Sequence, residues 1–307
     1  MRAYVLFAGL FLGFSAHAAD LVLTPISVAP DTYAVIGDLG GQTYENEGLN
    51  NNLGFVVTDA GVLVLNTGPT LRVAKALHAA IRKVTPQPVK WVVNVNSQNH
   101  YWHGNDYFKK LGATVLAHTK ADKVMREMGP AQLDANKTNL KEKAEGTALA
   151  YPTELIGDRR ELKLGNTVVQ LLHFGPAHTP GDTVVWLPQE KIVFSGDIIY
   201  TDRLLAVIPI GNTANWIQAF DKVAALKPKV IVPGHGKPSD PTKARKETRD
   251  YLTHLRGSVK KALDNGDTLQ DAVEKIDQSR FKYLANFDLL AKRNVNQVYL
   301  EMEKEGF

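Results

Sequence analysis

Five residues of types that bind divalent metals occur in similar sequence contexts. His100, His103, His178 and His235 lie in turns rich in Gly, Pro, Asn or Thr that follow apolar β-like runs, and Asp197 ends another such run. Loops at strand ends are where proteins assemble binding sites. Imidazole and carboxylate together suit zinc, and a catalytic zinc keeps one coordination position open. A single histidine in such a turn usually only forms hydrogen bonds, but this combination predicts a metal centre.

The other histidines after residue 18 occur in contexts that favour a structural role. His78 lies in a helical pattern, and His118 ends a weak strand. His173 lies inside a strand pattern, and His254 lies in the charged C-terminal part. We expect these four to pack or to be solvated.

The composition limits the chemistry that such a centre can use. The chain has 307 residues and no cysteine, which excludes disulfides, thiolate nucleophiles, iron–sulfur clusters and Cys-type zinc sites. Any metal must therefore be held by nitrogen and oxygen ligands. A formal net charge of +4 is small for this length and gives no argument for a nucleic-acid partner.

The N-terminal segment has the three parts of a secretory signal peptide. Arg2 precedes an apolar run from about Tyr4 to Phe14, and the small residues Ala16 and Ala18 follow it. An uncleaved anchor is the alternative, but the run is shorter than the roughly 20 residues needed to span a bilayer. We expect residues 1–18 to be removed and the mature protein to be soluble and periplasmic, without a membrane anchor.

The elements that would position these ligands alternate between strands and helices. Residues 54–65 predict a β-hairpin, residues 70–84 have helical spacing, and residues 91–96 form a near-continuous apolar strand. Further strands are predicted at 114–117, 167–174, 183–187, 191–194 and 230–232, and a further helix at 214–226. Residues 119–150 are polar and mostly helical, which indicates a surface excursion.

The C-terminal part differs in character from the rest. Leu252, Leu255, Val259 and Leu263 recur at helical spacing, as do three apolar residues between 295 and 302. We therefore predict one α/β (α+β) domain over residues 19–240, a sandwich of sheets with helices outside. Residues 241–307 are predicted to be a helical extension that packs on the same domain and carries no chemistry.

The strand-end motifs, in this order, resemble the metallo-β-lactamase superfamily of metallohydrolases. The likeness extends from about Asp31 to Pro238 and includes the hairpin, the histidine-rich loop and the three short motifs that follow it. Those motifs are Gly-Pro-Ala-His-Thr-Pro-Gly-Asp at 175–182, Ser-Gly-Asp at 195–197 and Pro-Gly-His-Gly at 233–236. The resemblance implies an αββα sandwich with metals at one edge. Within the superfamily, the chain resembles the exported SoxH-like branch, known as quinoprotein relay system metallohydrolases.

The histidine-rich loop departs from the family pattern His-x-His-x-Asp-His at two positions. Gln98 stands in place of the first histidine, and Trp102 stands in place of the aspartate. An amide oxygen is a weaker ligand than imidazole, and the protonated indole nitrogen cannot ligate. In addition, Asn66 replaces the aspartate of the family's Asp-Thr-Gly turn.

Carried over by position, the resemblance implies two metal sites that share one carboxylate. One site would use Gln98, His100, His178 and Asp197, and the other would use His103, His235 and the same Asp197. Because only one carboxylate remains, we expect one well-held zinc ion, or two sites with unequal occupancy, rather than a symmetric pair. His100, His178 and Asp197 form the most self-consistent ligand set.

Two functions follow from this resemblance. The first is a zinc hydrolase that cleaves an ester- or thioester-like small molecule with metal-activated water, with Asp197 and His235 as catalytic residues. The second is a periplasmic accessory protein of a quinoprotein (PQQ-type) dehydrogenase. Trp102 motivates the second, because an indole in the pocket would provide a stacking surface for a flat ligand. A β-lactamase and a glyoxalase-like thioesterase are lesser options.

Overall fold

Two β-sheets face each other in the computed structural model, which describes residues 21–306; the predicted signal peptide lies outside them. The larger sheet has seven strands arranged in sequence order. They are β1 (Ile26–Ala29), β2 (Thr32–Val35), β3 (Leu53–Thr58), β4 (Gly61–Leu65), β5 (Val89–Asn94), β6 (Thr114–His118) and β7 (Glu154–Ile156). Neighbouring strands from β1 to β4 pair antiparallel, and neighbouring strands from β4 to β7 pair parallel. The predicted hairpin at 54–65 is thereby confirmed as β3 and β4.

The smaller sheet has five strands in the order β12-β11-β10-β9-β8. They are β8 (Arg159–Leu164), β9 (Thr167–Leu172), β10 (Val184–Leu187), β11 (Ile192–Tyr200) and β12 (Val230–His235). Only the β11–β12 pair is parallel. One apolar cluster joins the two sheets, with Leu65 and Val93 from the larger and Leu171 and Val185 from the smaller.

Helices cover the outer faces of both sheets. They are α1 (Leu71–Val84), α2 (Asn99–Trp102), α3 (Asn105–Lys110), α4 (Thr119–Leu140), α5 (Thr213–Ala225), α6 (Pro241–Ala244), α7 (Asp250–Asp264), α8 (Leu269–Lys275) and α9 (Phe287–Glu305). Helix α1 begins where the Thr70 side chain accepts a hydrogen bond from the Val73 N–H. Within the described range, no helix is long and apolar enough to cross a membrane. The mixed α/β sandwich with C-terminal helices is the predicted fold class.

Three features differ from the sequence-based prediction. Strand β11 continues beyond its apolar run to Tyr200, so Asp197 lies inside a strand rather than at its end. Strands β1, β2, β7 and β8 were not predicted. Helix α4 is not a simple surface excursion, because it buries Ala121, Met125 and Leu133 despite its polar composition.

Candidate metal centre

Neighbouring strand ends bring the predicted ligands together. Gln98 precedes α2, which carries His100, and the β9–β10 loop carries His178. Because β11 and β12 pair in parallel, Asp197 and His235 lie on adjacent strands of the smaller sheet. Long-range pairing thus gathers residues that are more than 100 positions apart.

Asp197 is fully buried and lies between two histidines. Its Oδ1 is 3.3 Å from His235 Nε2, and its Oδ2 is 3.6 Å from His178 Nε2. Ligand atoms of His100, Asp197 and His235 all lie within 4.8 Å of one another. Two atoms bound to one tetrahedral zinc are about 3.4 Å apart, given bonds of about 2.0 to 2.2 Å. The two separations from Asp197 are close to this ligand–ligand distance, so this group could hold a metal ion.

The imidazole of His100 has a nitrogen free to bind a metal. Its Nδ1 is 2.9 Å from Asn99 Oδ1, so this nitrogen donates its proton to the amide oxygen. Its Nε2 is buried and has no hydrogen-bond partner. A buried polar atom without a partner is unfavourable, and a bound cation would satisfy it.

The protonation states also suit metal binding. Burial lowers the pKa of His100, His178 and His235, and it lowers the pKa of His103 to about 3. Burial alone would raise the pKa of Asp197, but electrostatic interaction with His235 and His178 favours the ionised carboxylate and lowers that pKa. At neutral pH the site therefore contains neutral imidazoles and an ionised carboxylate, the forms that ligate metals. The residues fit a divalent cation.

The remaining two predicted ligands have different positions. Gln98 is close to the centre, since its Oε1 is 2.9 Å from His178 Nε2. His103 is buried but lies outside the group formed by His100, Asp197 and His235. Its Nδ1 is 3.2 Å from the side-chain amide of Asn136 on α4, and its Nε2 has no partner.

The sequence-based interpretation of Trp102 as a stacking surface is wrong. Trp102 is completely buried and packs with Ala117, Ala121 and Met125. Its indole N–H donates to the Ser97 carbonyl at 3.0 Å. The side chain therefore presents no face to a ligand.

Residues that the sequence analysis missed hold the loop around His235. His235 Nδ1 is 2.5 Å from the Asn50 carbonyl, so its proton points there and its Nε2 lone pair faces Asp197. The Asn52 side chain donates to the carbonyls of Pro233 and Gly236. Asn66, which the sequence analysis did identify, keeps the shape of its turn, because it adopts a φ of 65° and accepts a hydrogen bond from Val95 N–H. The run of asparagines at 50–52 was the available sequence signal.

Arg203 places a buried positive charge beside the centre. Its guanidinium donates to the Gly40 carbonyl at 3.1 Å and lies 3.2 Å from His235 Nδ1, and its Nε has no partner. Within residues 21–306 no carboxylate forms an ion pair with it. A buried charge without a counter-ion is unfavourable unless an anion binds beside it.

A second group of ligand-type residues does not have the geometry of a metal site. His118, His173 and Asp158 lie close together. However, the two imidazole rings are stacked, with centroids 3.9 Å apart and planes 24° from parallel. An ion in the plane of one ring would lie far out of the plane of the other. His173 Nδ1 instead donates to the Asp182 carbonyl at 2.8 Å, which is a structural contact.

Exchanging Gln98 for a stronger ligand tests its place in the centre. Gln98→His is expected to tighten zinc binding by about tenfold, because imidazole binds zinc better than an amide oxygen. Gln98→Ala is expected to weaken it, and competition with a chromophoric chelator measures both. Equal affinity in all three proteins would place Gln98 outside the coordination sphere.

Comparison with known proteins extends this picture. A linear primary-alkylsulfatase from Pseudomonas sp. is 23% identical over 282 residues, which cover 78% of this chain and 53% of the relative. A solved stereoselective inverting sec-alkylsulfatase from Pseudomonas sp. has a TM-score of 0.71 and 17% identity, covering 91% of this chain and 50% of that one. The chain thus spans about half the length of both alkylsulfatases.

A solved metallo-β-lactamase from Pontibacter korlensis has a TM-score of 0.63 and 19% identity, covering 75% of this chain and 99% of that one. At such identities the solved structures show a shared fold. Residues 46–235, which include every predicted ligand, match the family described as "Metallo-beta-lactamase superfamily". The chain therefore belongs to the metallo-β-lactamase superfamily.

Proposed function

We propose that this protein is a zinc-dependent hydrolase that cleaves an ester- or thioester-like small molecule. The observation that carries the proposal is the buried Asp197, whose two oxygens face His235 and His178 beside the unpartnered Nε2 of His100. A divalent metal held by such residues lowers the pKa of water and polarises a carbonyl or ester oxygen. Members of this superfamily are mostly hydrolases, which agrees with this role.

Metal binding and catalysis at the centre can be assigned to particular residues. Asp197, His100, His178 and His235 would hold the metal, and Gln98 would add a weak oxygen ligand. His235 and Asp197 also remain our candidate catalytic residues, because both would bind the metal that activates the attacking water.

The surrounding carboxylates favour one well-held ion over two. Asp182 is the other buried carboxylate near the centre, but it belongs to no group of ligand-type side chains with metal-binding spacing among the described residues. Oδ1 accepts from Thr179 Oγ1 at 2.6 Å and Asn96 Nδ2 at 2.9 Å, and Oδ2 accepts from Thr179 N at 2.8 Å. Asp197 is thus the single carboxylate available in this part of the described structure.

Arg203 supports a substrate that carries a negative charge close to the bond that is cleaved. Its guanidinium lies 3.2 Å from His235 Nδ1, which places the positive charge beside one of the proposed metal ligands. Two of the similar proteins are named as alkylsulfatases. Alkyl sulfates are esters that carry such a charge, and we propose them as the first substrates to test.

Substitution of Arg203 tests whether this residue binds the negative charge of the substrate. Arg203→Gln is expected to raise KM for an anionic ester by about 10- to 100-fold, since charge-assisted hydrogen bonds contribute about 1.5 to 3 kcal/mol. The KM of a neutral ester should change little, and Arg203→Lys should recover part of the loss. A parallel rise in KM for both esters would contradict the assignment.

A hydrolysis screen on the zinc-loaded protein tests the proposed function. It includes alkyl sulfates, carboxylic esters, thioesters, lactones and β-lactams, with folded His178→Ala as the control. Hydrolysis that is lost in His178→Ala supports the proposal. A wild-type protein that binds no metal and cleaves none of these substrates would contradict it.

We further propose, from the signal-peptide pattern of residues 1–18, that the protein acts in the periplasm after cleavage at residue 18. The mass of the mature protein from a periplasmic extract tests this. A quinoprotein dehydrogenase remains a proposed partner. An accessory role without catalysis loses its main motivation, however, because Trp102 is buried.

A further inference from the structure

Tyr101 has a contact that the proposed function does not yet use. The residue lies between His100 and Trp102, and its side chain is completely buried. Its hydroxyl donates a hydrogen bond to Asp197 Oδ1 at 2.5 Å. Tyr101 therefore reaches the carboxylate at the middle of the centre.

The position of the Tyr101 hydroxyl is fixed from both ends of the residue. The Tyr101 carbonyl accepts hydrogen bonds from Thr67 N at 2.9 Å and from Asn94 Nδ2 at 3.3 Å. Its ring packs in the cluster between the sheets, with its centroid 4.7 Å from that of His100. These contacts connect the hydroxyl rigidly to β5 and to the turn after β4.

The hydrogen bonds to Asp197 fix the direction of each carboxylate oxygen. Tyr101 bonds the oxygen that faces His235, and Asn96 Nδ2 bonds the oxygen that faces His178, at 3.2 Å. Gly234 packs directly against this arrangement, since a Cβ there would overlap with Asp197 Oδ1 and the Tyr101 oxygen. The carboxylate has little space in which to turn.

We propose that Tyr101 is a positioning residue for the metal centre, which it serves by holding Asp197 with one oxygen towards each of two histidines. The inference depends on the metal centre of the proposed function. Groups that hydrogen-bond to a ligating carboxylate orient it, and losing one lowers metal affinity by about 10- to 100-fold. The histidine-rich loop lacks family ligands on both sides of His100, at positions 98 and 102. Metal affinity therefore depends more strongly on the orientation of Asp197.

Metal affinity, rather than activity, tests this role. Tyr101→Phe is expected to weaken zinc binding by about 10- to 100-fold in chelator competition. The visible absorption of the cobalt(II)-loaded protein is expected to shift as well. Tyr251→Phe is the matched control, because it also loses a buried hydroxyl, one that donates to Gln278 Oε1 at 2.9 Å among the C-terminal helices. The control should bind zinc like the wild type.

Two non-natural side chains separate the hydroxyl from the packing of the ring. Tyr101→4-aminophenylalanine keeps a donor at the same place and is expected to retain the wild-type affinity. Tyr101→4-methylphenylalanine fills the volume of the hydroxyl without a donor and is expected to bind weakly. This pair keeps the comparison possible even if Tyr101→Phe does not fold.

The outcomes distinguish this inference from the proposed function. A wild-type protein that binds no zinc would contradict the proposed function and, with it, the inference. A wild type that binds zinc, together with donor-free variants that bind it equally well, would overturn the role of Tyr101 alone.

Discussion

Replacing Asp197 with asparagine is expected to abolish tight zinc binding and to lower kcat/KM by about 1,000-fold or more, since a catalytic metal contributes several kcal/mol. The reason is that Asp197 supplies the one carboxylate that faces His178 and His235. Asparagine keeps the shape, and its single carbonyl oxygen can still accept from Tyr101, but its NH2 group would then face the Asn96 Nδ2 donor. The change therefore removes the charge and little of the packing.

The measurement is zinc content after dialysis, combined with the rate on whichever substrate the screen identifies. Asp122→Asn is a suitable control, because Asp122 is also buried and pairs with Arg126 on α4, outside the centre. The control should keep both zinc and activity. If Asp197→Asn retained stoichiometric zinc, the centre would have to be held by another set of residues.

Much of the fold and of the ligand set could be predicted, because both depend on local patterns. In the sequence, apolar runs of strand length precede His178 and His235. These runs form strands β9 and β12 in the structure. Metal chemistry limits the ligands to a few residue types, so candidate ligands can be recognised in the sequence. The structure then brings ligand atoms of His100, Asp197 and His235 within 4.8 Å of one another and places His178 Nε2 3.6 Å from Asp197 Oδ2, although metal binding itself stays a prediction.

What the sequence could not provide are contacts between distant segments. The Asn50 carbonyl that fixes the proton of His235 is 185 positions away, and the Gly40 carbonyl that binds Arg203 is 163 positions away. No local pattern encodes such pairs. They depend on how the loop between β2 and β3 packs against β12 and the segment after β11.

The C-terminal extension shows the same limitation. Helical spacing predicted α7 and α9, but it indicated no role near the centre. In the structure Asn286, at the start of α9, donates to the Leu39 carbonyl at 2.6 Å. The neighbouring Ala285 pairs with Arg203 in a short β-bridge. The extension thus supports the loop and the arginine beside the centre, a contact that only the tertiary structure reveals.

Trp102→Asp restores the aspartate of the family's loop sequence. We expect it to destabilise the protein strongly instead of creating a second metal site. Removing a buried indole costs about 3 to 5 kcal/mol. Placing an unpaired carboxylate among Ala117, Ala121 and Met125 adds several kcal/mol more. Natural domains unfold with only about 5 to 15 kcal/mol, so the variant is expected to be unfolded or close to it.

Urea unfolding followed by circular dichroism measures this effect, with zinc content determined on any folded fraction. Trp102→Phe provides the control: it keeps an aromatic ring in the cluster and loses the bond to the Ser97 carbonyl, so a loss of about 1 to 3 kcal/mol is expected. A Trp102→Asp protein with the wild-type midpoint and an additional zinc ion would show that position 102 can reach the centre. The expected collapse would instead show that this chain uses position 102 for its core, and that the loop cannot regain the family's second carboxylate by a single substitution.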